Sequence, residues 1–455
     1  MAHGFTVLIM AAGHGTRMRS ALPKGLHRVC GKPMVEWVID AAREAGAERV
    51  VCITRPGDGV EEGLPDHVTV AEQTEGEGTG AAVLAARDQL QEGGPVVVLS
   101  GDHPLVNCEH IEGLLTDHQE ANAAAAILTT DQLDPAGYGR IVRAADGSVE
   151  RIVETKHVEG LSKDELAIRE VNLGSYAFDA GLLLEALDKV GLENGERYLT
   201  GVFPLLNGKI VTHLTADANS AIGVNDRAGL MHADQIAQRL ILEHHAREGV
   251  TFHLPATIRV DARVEIGQDT VVAPGTSLLG ATRVGAGADI GPHTTAIDTT
   301  IADGAKVTHS YLLEAVVGER ATIGPFAYLR PGADIGAEAK VGTFVEVKNS
   351  QIGSGAKVPH LSYIGDADVG DESNLGASTI TANYDGREKH RTKLGKRVKT
   401  GVHTSLVAPV DVGDRAYTGA GSVISEDVPE GSLGITRPDQ KNVEGYAERV
   451  DKKPE

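Results

Sequence analysis

An α/β domain built on a mostly parallel sheet, followed by a left-handed parallel β-helix, is the fold class that this sequence predicts. Three observations predict it. Short β-branched runs alternate with helical stretches through the first half. A purely helical segment follows at 228–249. Beyond residue 258 the apolar residues recur at every sixth position.

TVLIM (6–10), RVVCIT (49–54), VTVAE (68–72) and PVVVLSGD (95–102) are runs of the buried-strand type. Between them lie MVEWVIDAAREAG (34–46), closed by Gly46 as a helix C-terminus is, and GAAVLAARDQLQEGG (80–94). This βαβ alternation implies a parallel sheet with helices on both faces, and ligands at the carboxyl ends of its strands. In AGLMHADQIAQRLILEHHAREG (228–249) the apolar residues at 230, 233, 236, 237, 240 and 241 follow the helical period, which makes this segment the connector. The expected organisation is residues 1–227 as the first domain, 228–250 as a linker helix, 251–441 as the repeat domain and 442–455 as a tail.

In the repeat, Ile266, Val272, Leu278, Val284 and Ile290 are spaced by six. After an irregular stretch the register resumes at Val317, Ile323, Leu329, Ile335, Val341 and Val347, and again at Val412, Thr418 and Ile424. Hexapeptide repetition over this length is the signature of a parallel β-helix. TANYDGREKHRTK (381–393) lacks the period and is expected to leave the coil as a loop.

A chain of 455 residues is too long for one core. The 4% aromatic content and 55 glycines suit a thin coil filled by Val, Ile and Ala. A net charge of −21 argues against a nucleic-acid partner, which needs a basic surface. Cys30, Cys52 and Cys108 form an odd set without metal-ligand spacing and read as free thiols of a reducing compartment. No apolar run reaches the length of a membrane span and no signal peptide is evident, so a cytoplasmic location is expected.

The strand TVLIM runs into AAGHGTRM (11–18). Small residues there let the backbone approach a phosphate, and successive N–H groups can face the anion. The third glycine of a dinucleotide fingerprint is replaced by Met18, and the Gly-Lys-Ser/Thr of a P-loop is absent. Arg17 and Lys24 add cations for a triphosphate, and Asp102, at the end of PVVVLSGD, is a candidate Mg²⁺ ligand.

AAGHGTRM, PK (23–24), GTG (78–80), GDHPL (101–105), GYGRIV (137–142), IVE (152–154), EVNLGSY (170–176) and GVNDR (223–227) follow the order found in the sugar-1-phosphate nucleotidyltransferases. The first half thus resembles that family, with its Rossmann-like nucleotidyltransferase domain. Joined to the repeat, nearly the whole chain is similar to the bifunctional N-acetylglucosamine-1-phosphate uridylyltransferase / glucosamine-1-phosphate N-acetyltransferase family. The resemblance implies that Ala11, Ala12, Gly13, Arg17 and Lys24 hold the UTP phosphates and that Gln73, Gly78 and Thr79 read the uracil. It places Gly139, Glu154 and Asn172 on the sugar, and Asp102 with Asn225 on Mg²⁺. Three positions depart from the family pattern. EQTEGEGTG lengthens the spacing from Gln73 to GTG, Ala81 stands where many members have His, and Ser100 where many have Tyr.

Acetylating an amine needs a base, and histidine has the fitting pKa. His360 and Tyr363 lie in KVPHLSYIGDADVG (357–370), after the cations Arg330 and Lys348, which are eighteen residues apart and so one full coil from each other. His309, His390 and His403 gain no role from spacing. The resemblance implies His360 as general base; Arg330, Lys348, Tyr363 and Asn374 as the glucosamine-1-phosphate site; and Ala377, Asn383, Tyr384, Val402, Ala420 and Arg437 as acetyl-CoA contacts. Val402 replaces a family serine. Lys389, with Arg387, His390, Arg391 and Lys393 around it, forms a basic cluster that could draw CoA phosphates.

The implied function is two-step synthesis of UDP-N-acetylglucosamine, a precursor of peptidoglycan and lipopolysaccharide-type envelope polymers, by a homotrimer acting on small-molecule substrates. Two alternatives stay open on the residues alone: a nucleotidyltransferase whose β-helix serves only oligomerisation or regulation, and an acyltransferase whose first domain only binds nucleotide.

Overall fold

The computed structural model describes residues 4–90, 94–155 and 161–451. Residues 91–93 of the expected second helix and the end of the tail, 452–455, lie outside the described residues. The chain divides into two compact units, Met1–Arg239 and Leu240–Glu455, and the division falls within one helix, Arg227–Arg247. Among the described residues no helix is long and apolar enough to cross a membrane.

In the first unit the strands run in the order Ile210–Leu214, Ala125–Thr130, Val171–Asp179, Pro95–Ser100, Thr6–Met10, Arg49–Thr54, Thr69–Glu72. Alternate side chains of each strand serve opposite faces. Leu8, Val51 and Val98 join one apolar core, and Val7, Ile9, Val50, Cys52 and Val97 the other. The long helix on the second face, Met34–Glu44, buries Val35, Val38 and Ile39, and the single tryptophan, Trp37, donates to the Val29 carbonyl at 3.0 Å. The stretch read as one helix over 80–94 is two, Thr79–Ala85 and Arg87–Leu90, separated at the buried Ala86.

The sheet is less uniformly parallel than the sequence suggests. Val171–Asp179 runs antiparallel to both neighbours, because the hairpin Arg140–Arg143/Val149–Val153 is built at the carboxyl edge and the chain re-enters from there. The reversal has a functional result: Tyr176 pairs with Val98 and Asp179 with Pro95, so Asn172, near the start of this strand, lies at the edge where Pro95–Ser100 ends.

The second unit is a three-sided left-handed coil whose sheets contain seven, ten and nine described strands, with parallel pairing throughout. The six-spaced residues Ile266, Val272, Leu278, Val284 and Ile290 all point inward and are buried, as are their counterparts up the axis. The irregular stretch of sequence is not an irregularity of structure. Ser277 pairs with Thr295 at an offset of eighteen, Arg283 with Thr300 at seventeen and Thr295 with Tyr311 at sixteen, so residues are lost at corners while the ladder continues. The expected loop is shorter than 381–393: Ile380–Ala382 and Thr392–Leu394 remain strands, and only 383–391 departs. None of the three cysteines forms a disulfide, and two of them are buried.

His118, in the last turn of the helix Cys108–Glu120, is buried with neither ring nitrogen hydrogen-bonded. Burial pushes its pKa below 6.5, and the Asp179 charge opposes this only in part. In that window the unfolded chain holds a proton that the folded one refuses. The associated stability is therefore present above about pH 6.5 and is lost as the pH falls below it. Urea midpoints followed by Trp37 fluorescence are expected to drop between about pH 7.5 and about pH 5.5, and to drop less in His118→Leu. An equal drop in both proteins would remove His118 as a source of the effect.

Candidate functional site

The first cluster forms at the carboxyl edge of the sheet. Ala11 donates to the Ile53 carbonyl at 2.9 Å and Gly101 to that of Met10 at 3.0 Å, which lock the two turns Ala11–Gly13 and Gly101–Asp102 side by side. Gly15 (φ 60°) lies so close to Lys24 that a β-carbon there would stand 2.8 Å from Lys24 Cβ. Its absence lets the lysine enter. Lys24 Nζ donates both to Asp102 Oδ2 and, at 3.0 Å, to Asn225 Oδ1; Arg17 reaches the same Asn225 oxygen at 2.8 Å. Ser100 Oγ donates to Asp102 Oδ1 at 2.7 Å. Asp102 is held below the usual carboxylate range although burial opposes this. Lys24 supplies the charge at neutral pH, because the adjacent His103 is itself pushed down by burial and is uncharged there.

One ammonium touching both Asp102 and Asn225 marks a position where a cation is favoured by two oxygens. No group of three or more His, Cys, Asp or Glu converges as a metal cage among the described residues. A site with one or two protein oxygens is the pattern of Mg²⁺, which leaves its other positions to water and phosphates. The residues present fit that ion.

Around this cluster opens a cleft of about 260 Å³, lined among others by Ala11, Ala12, Gly13, Lys24, Gln73, Gly78, Thr79 and Asp102. Gln73 is buried, and its amide donates to the Gly76 carbonyl at 3.0 Å, so the lengthened EQTEGEGTG segment folds back on the glutamine. Gly139, Glu154 and Asn172 lie farther along the edge. Asn172 donates its backbone N–H to Gly139 O at 2.9 Å and its side chain to Tyr176 at 2.8 Å, while Glu154 accepts from Thr200 at 3.2 Å.

The second cluster is on the coil. Leu329 pairs with Val347, so Arg330 and Lys348 occupy equivalent places on successive turns. Each has an acidic partner that spacing did not reveal. Arg330 donates to Glu346 at 2.8 Å and Lys348 to Asp366 at 3.2 Å. Asp366 is buried at a left-handed corner (φ 49°) and also accepts from Asn349 at 2.6 Å and from Asn383. Burial opposes its ionisation, and those three hydrogen bonds more than compensate, leaving its pKa lowered. Asn383 further approaches the Tyr363 hydroxyl at 3.5 Å. The tyrosine ring packs against Gly365, where a β-carbon would come within 2.3 Å of the hydroxyl.

His360 is exposed at the corner between two sheets, and neither ring nitrogen is hydrogen-bonded among the described residues. It pairs with Thr343 below. The backbone bonds Ser378 N to His360 O (3.1 Å), His403 N to Ala377 O (2.8 Å) and Gly421 N to Val402 O (2.8 Å) continue the register upward. His360, Ala377, Val402 and Ala420 therefore form one column along the coil. Asn374 is in register with Lys357 and Lys399, on a different sheet from Tyr363, and Arg437 lies exposed beyond the last coils. The basic cluster of the loop is thinner than the sequence suggests: Arg391 is engaged by Asp368 and His390 by Asp385 (2.8 Å), while Arg387 and Lys389 are exposed beside Tyr384. Glu346, Asn349 and Asp366 were missed by sequence reasoning, since acidic and amide corner residues carry no motif.

Residues 7–163 match the family model described as a MobA-like NTP transferase domain. The chain is 44% identical over 458 residues to a "Bifunctional protein GlmU" of Mycolicibacterium vanbaalenii, covering 97% of this chain and 92% of that protein. Identity is 45% over 455 residues to the protein of that name from Streptomyces avermitilis, with 97% and 94% covered, and 45% over 450 residues to that of Geobacillus sp., with 97% of each covered. With the two clusters and such similarity along its length, the chain belongs to the GlmU family of bifunctional N-acetylglucosamine-1-phosphate uridylyltransferases and glucosamine-1-phosphate N-acetyltransferases.

Proposed function

We propose that uridylyl transfer is carried by the cleft of the first unit and acetyl transfer by the His360 corner of the second. The observation that carries the second assignment is the column His360–Ala377–Val402–Ala420, together with the aligned cations Arg330 and Lys348 on the turns that precede it. A coil serving as a spacer needs neither, which sets aside the reading of a lone nucleotidyltransferase.

In the acetyl transfer, Arg330 and Lys348 hold the phosphate of glucosamine-1-phosphate, with Tyr363 and Asn374 on the sugar. The amine attacks the thioester carbonyl of acetyl-CoA, His360 takes the amine proton, and the C–S bond breaks to release CoA. Ala377, Val402 and Ala420 line the cofactor's path, with Asn383, Tyr384 and Arg437 at its margins. Phe326 (47% exposed), Phe344 (59%) and Leu361 (56%) occupy successive turns of one corner, and Phe326 and Phe344 stack at 5.3 Å. Such an apolar edge fits association of copies, and with Asn374 on another sheet from Tyr363 it supports a homotrimer whose sites are shared between neighbours.

In the uridylyl transfer, the N–H groups of Ala11–Gly13 with Arg17 and Lys24 hold the UTP phosphates, and Gln73, Gly78 and Thr79 read the base. Gly139, Glu154 and Asn172 orient N-acetylglucosamine-1-phosphate. Its phosphate oxygen attacks the α-phosphorus in line and pyrophosphate leaves, a reaction that needs positioning and charge neutralisation more than a protein nucleophile. Mg²⁺, held by Asp102 and Asn225, supplies part of that neutralisation when bound. Three cysteines without a disulfide fit a reducing, cytoplasmic setting.

Assaying the half-reactions separately tests the division. His360→Ala is expected to lose about 10²–10⁴-fold in acetyl transfer while keeping uridylyl transfer. Retained acetyl transfer would sink the assignment. Asp102→Ala is expected to show the reverse pattern, and activation by added Mg²⁺ should vanish with it. Gly365→Ala pushes the Tyr363 ring off its seat. We expect it to raise the KM for glucosamine-1-phosphate without touching uridylyl transfer, and an unchanged KM would remove Tyr363 from the sugar site.

A further inference from the structure

The ends of three neighbouring strands meet at the nucleotide cleft. The phosphate-facing turn Ala11–Gly13 follows Thr6–Met10, and the segment Gln73–Thr79 follows Thr69–Glu72. These two strands do not touch; Arg49–Thr54 lies between them, and Arg55 is the next residue after it. Its guanidinium reaches both ways. Nε donates to the Ala12 carbonyl at 2.6 Å, and Nη2 donates to Glu77 Oε2 at 2.6 Å. The Arg55 backbone N–H is itself fixed by Asp58 at 3.0 Å.

Glu77 belongs to the stretch that lengthens the spacing to GTG. Its main chain is clamped from the far side: Arg197 N donates to Glu77 O at 2.8 Å, Gly80 N to Arg197 O at 2.8 Å, and Leu199 N to Thr79 Oγ1 at 2.9 Å. Its carboxylate also faces His14 of the phosphate-facing turn at 3.6 Å, and the Arg55 hydrogen bond is the chief reason that its pKa is lowered. Arg55 and Glu77 both line the cleft.

We propose that the Arg55–Glu77 bridge is a positioning and specificity device that fixes the width between the phosphate-holding turn and the base-reading segment, so that a pyrimidine nucleoside triphosphate spans the gap and a purine one does not. The inference rests on the reading above that UTP occupies this cleft with its phosphates at Ala11–Gly13 and its base at Gln73–Thr79. Arginine is suited to the task because its rigid planar fork fixes the directions of the two bonds, one from Nε and one from Nη2, whereas an ammonium turns freely on a flexible stem. Without the bridge, the Glu77 carboxylate would keep only the exposed His14 contact on the side of the phosphate-holding turn. The bridge acts through the turn and the lip, without a role at the reacting phosphorus.

The test is steady-state kinetics of uridylyl transfer in the full-length protein, with UTP and ATP as competing nucleotides, on wild type, Arg55→Ala, Arg55→Lys and Glu77→Gln. Arg55→Ala is expected to raise the KM for UTP about tenfold, the scale of one charged hydrogen-bonded contact, and to narrow the UTP-over-ATP ratio of kcat/KM by a similar factor. Its kcat with UTP and its KM for the sugar phosphate should stay within about twofold. Arg55→Lys, which keeps the charge without the planar fork, and Glu77→Gln, which keeps a neutral acceptor, should fall between. A loss of kcat with both nucleotides at unchanged KM and unchanged ratio would mean a merely structural arginine and would overturn the proposal. So would wild-type values in Arg55→Ala with a wild-type circular dichroism melt. A wild-type protein that does not use UTP would instead bring down the underlying reading.

Discussion

Everything on the coil depends on one interaction, the backbone hydrogen bond that each turn donates to the carbonyl of its neighbour. Because these bonds keep strict register, the neighbour of a residue in space is its counterpart one turn away, and chemistry is arranged in columns. Arg330 and Lys348 share one column, and His360 shares another with Ala377, Val402 and Ala420. The same rule decides which side chains must be absent. Gly336 lies so close to the next turn that a β-carbon there would stand 2.8 Å from Ser354 N. The inward Val, Ile and Leu residues supply the burial that holds the turns together, and the outward residues are thereby left free for function.

The first unit solves the same problem with a sheet edge. Four parallel strands, Pro95–Ser100, Thr6–Met10, Arg49–Thr54 and Thr69–Glu72, deliver their carboxyl ends to one line, and the reversed strand brings Asn172 to it from the opposite direction. Lys24 binds the assembly together, since its ammonium is shared by an aspartate and an asparagine that are far apart in sequence. Removing the lysine would leave a part-buried carboxylate facing an amide oxygen, with Arg17 on that oxygen as the remaining cation. That arrangement is unfavourable until a cation takes the place.

Much of this was legible in the residues. The six-residue period located inward columns, including the polar member Thr418, because a coil wall tolerates small or branched apolar groups and satisfied hydroxyls. The eighteen-residue separation of Arg330 and Lys348 translated directly into adjacency. Other features were hidden for definite physical reasons. Turns of seventeen and sixteen residues break a strict period without breaking the ladder, so the coil over 291–316 read as irregular. Strand direction is not encoded in a β-branched run, so the reversal of Val171–Asp179 was invisible. Asp366 and Glu346 look like ordinary surface acids until folding turns them toward the two cations. Arg55 and Glu77 are likewise unremarkable as letters, because their bridge exists only once the strand between two others has been placed.

The loop at 383–391 has a consequence for how such a protein can change. Tyr363 pairs with Ile380, and Ile380 with Ser405, so the turn holding the loop is longer than its neighbours yet returns to the same register. A solenoid of this kind keeps its structure and its novelty in separate compartments: the ladder counts turns, while corners accept or release residues without passing the change along the axis. At about 4.8 Å per turn, the three steps from His360 to Ala420 make a graduated scale along which an extended ligand is measured. Lengthening a corner decorates that scale. Only adding or deleting a whole turn would recalibrate it.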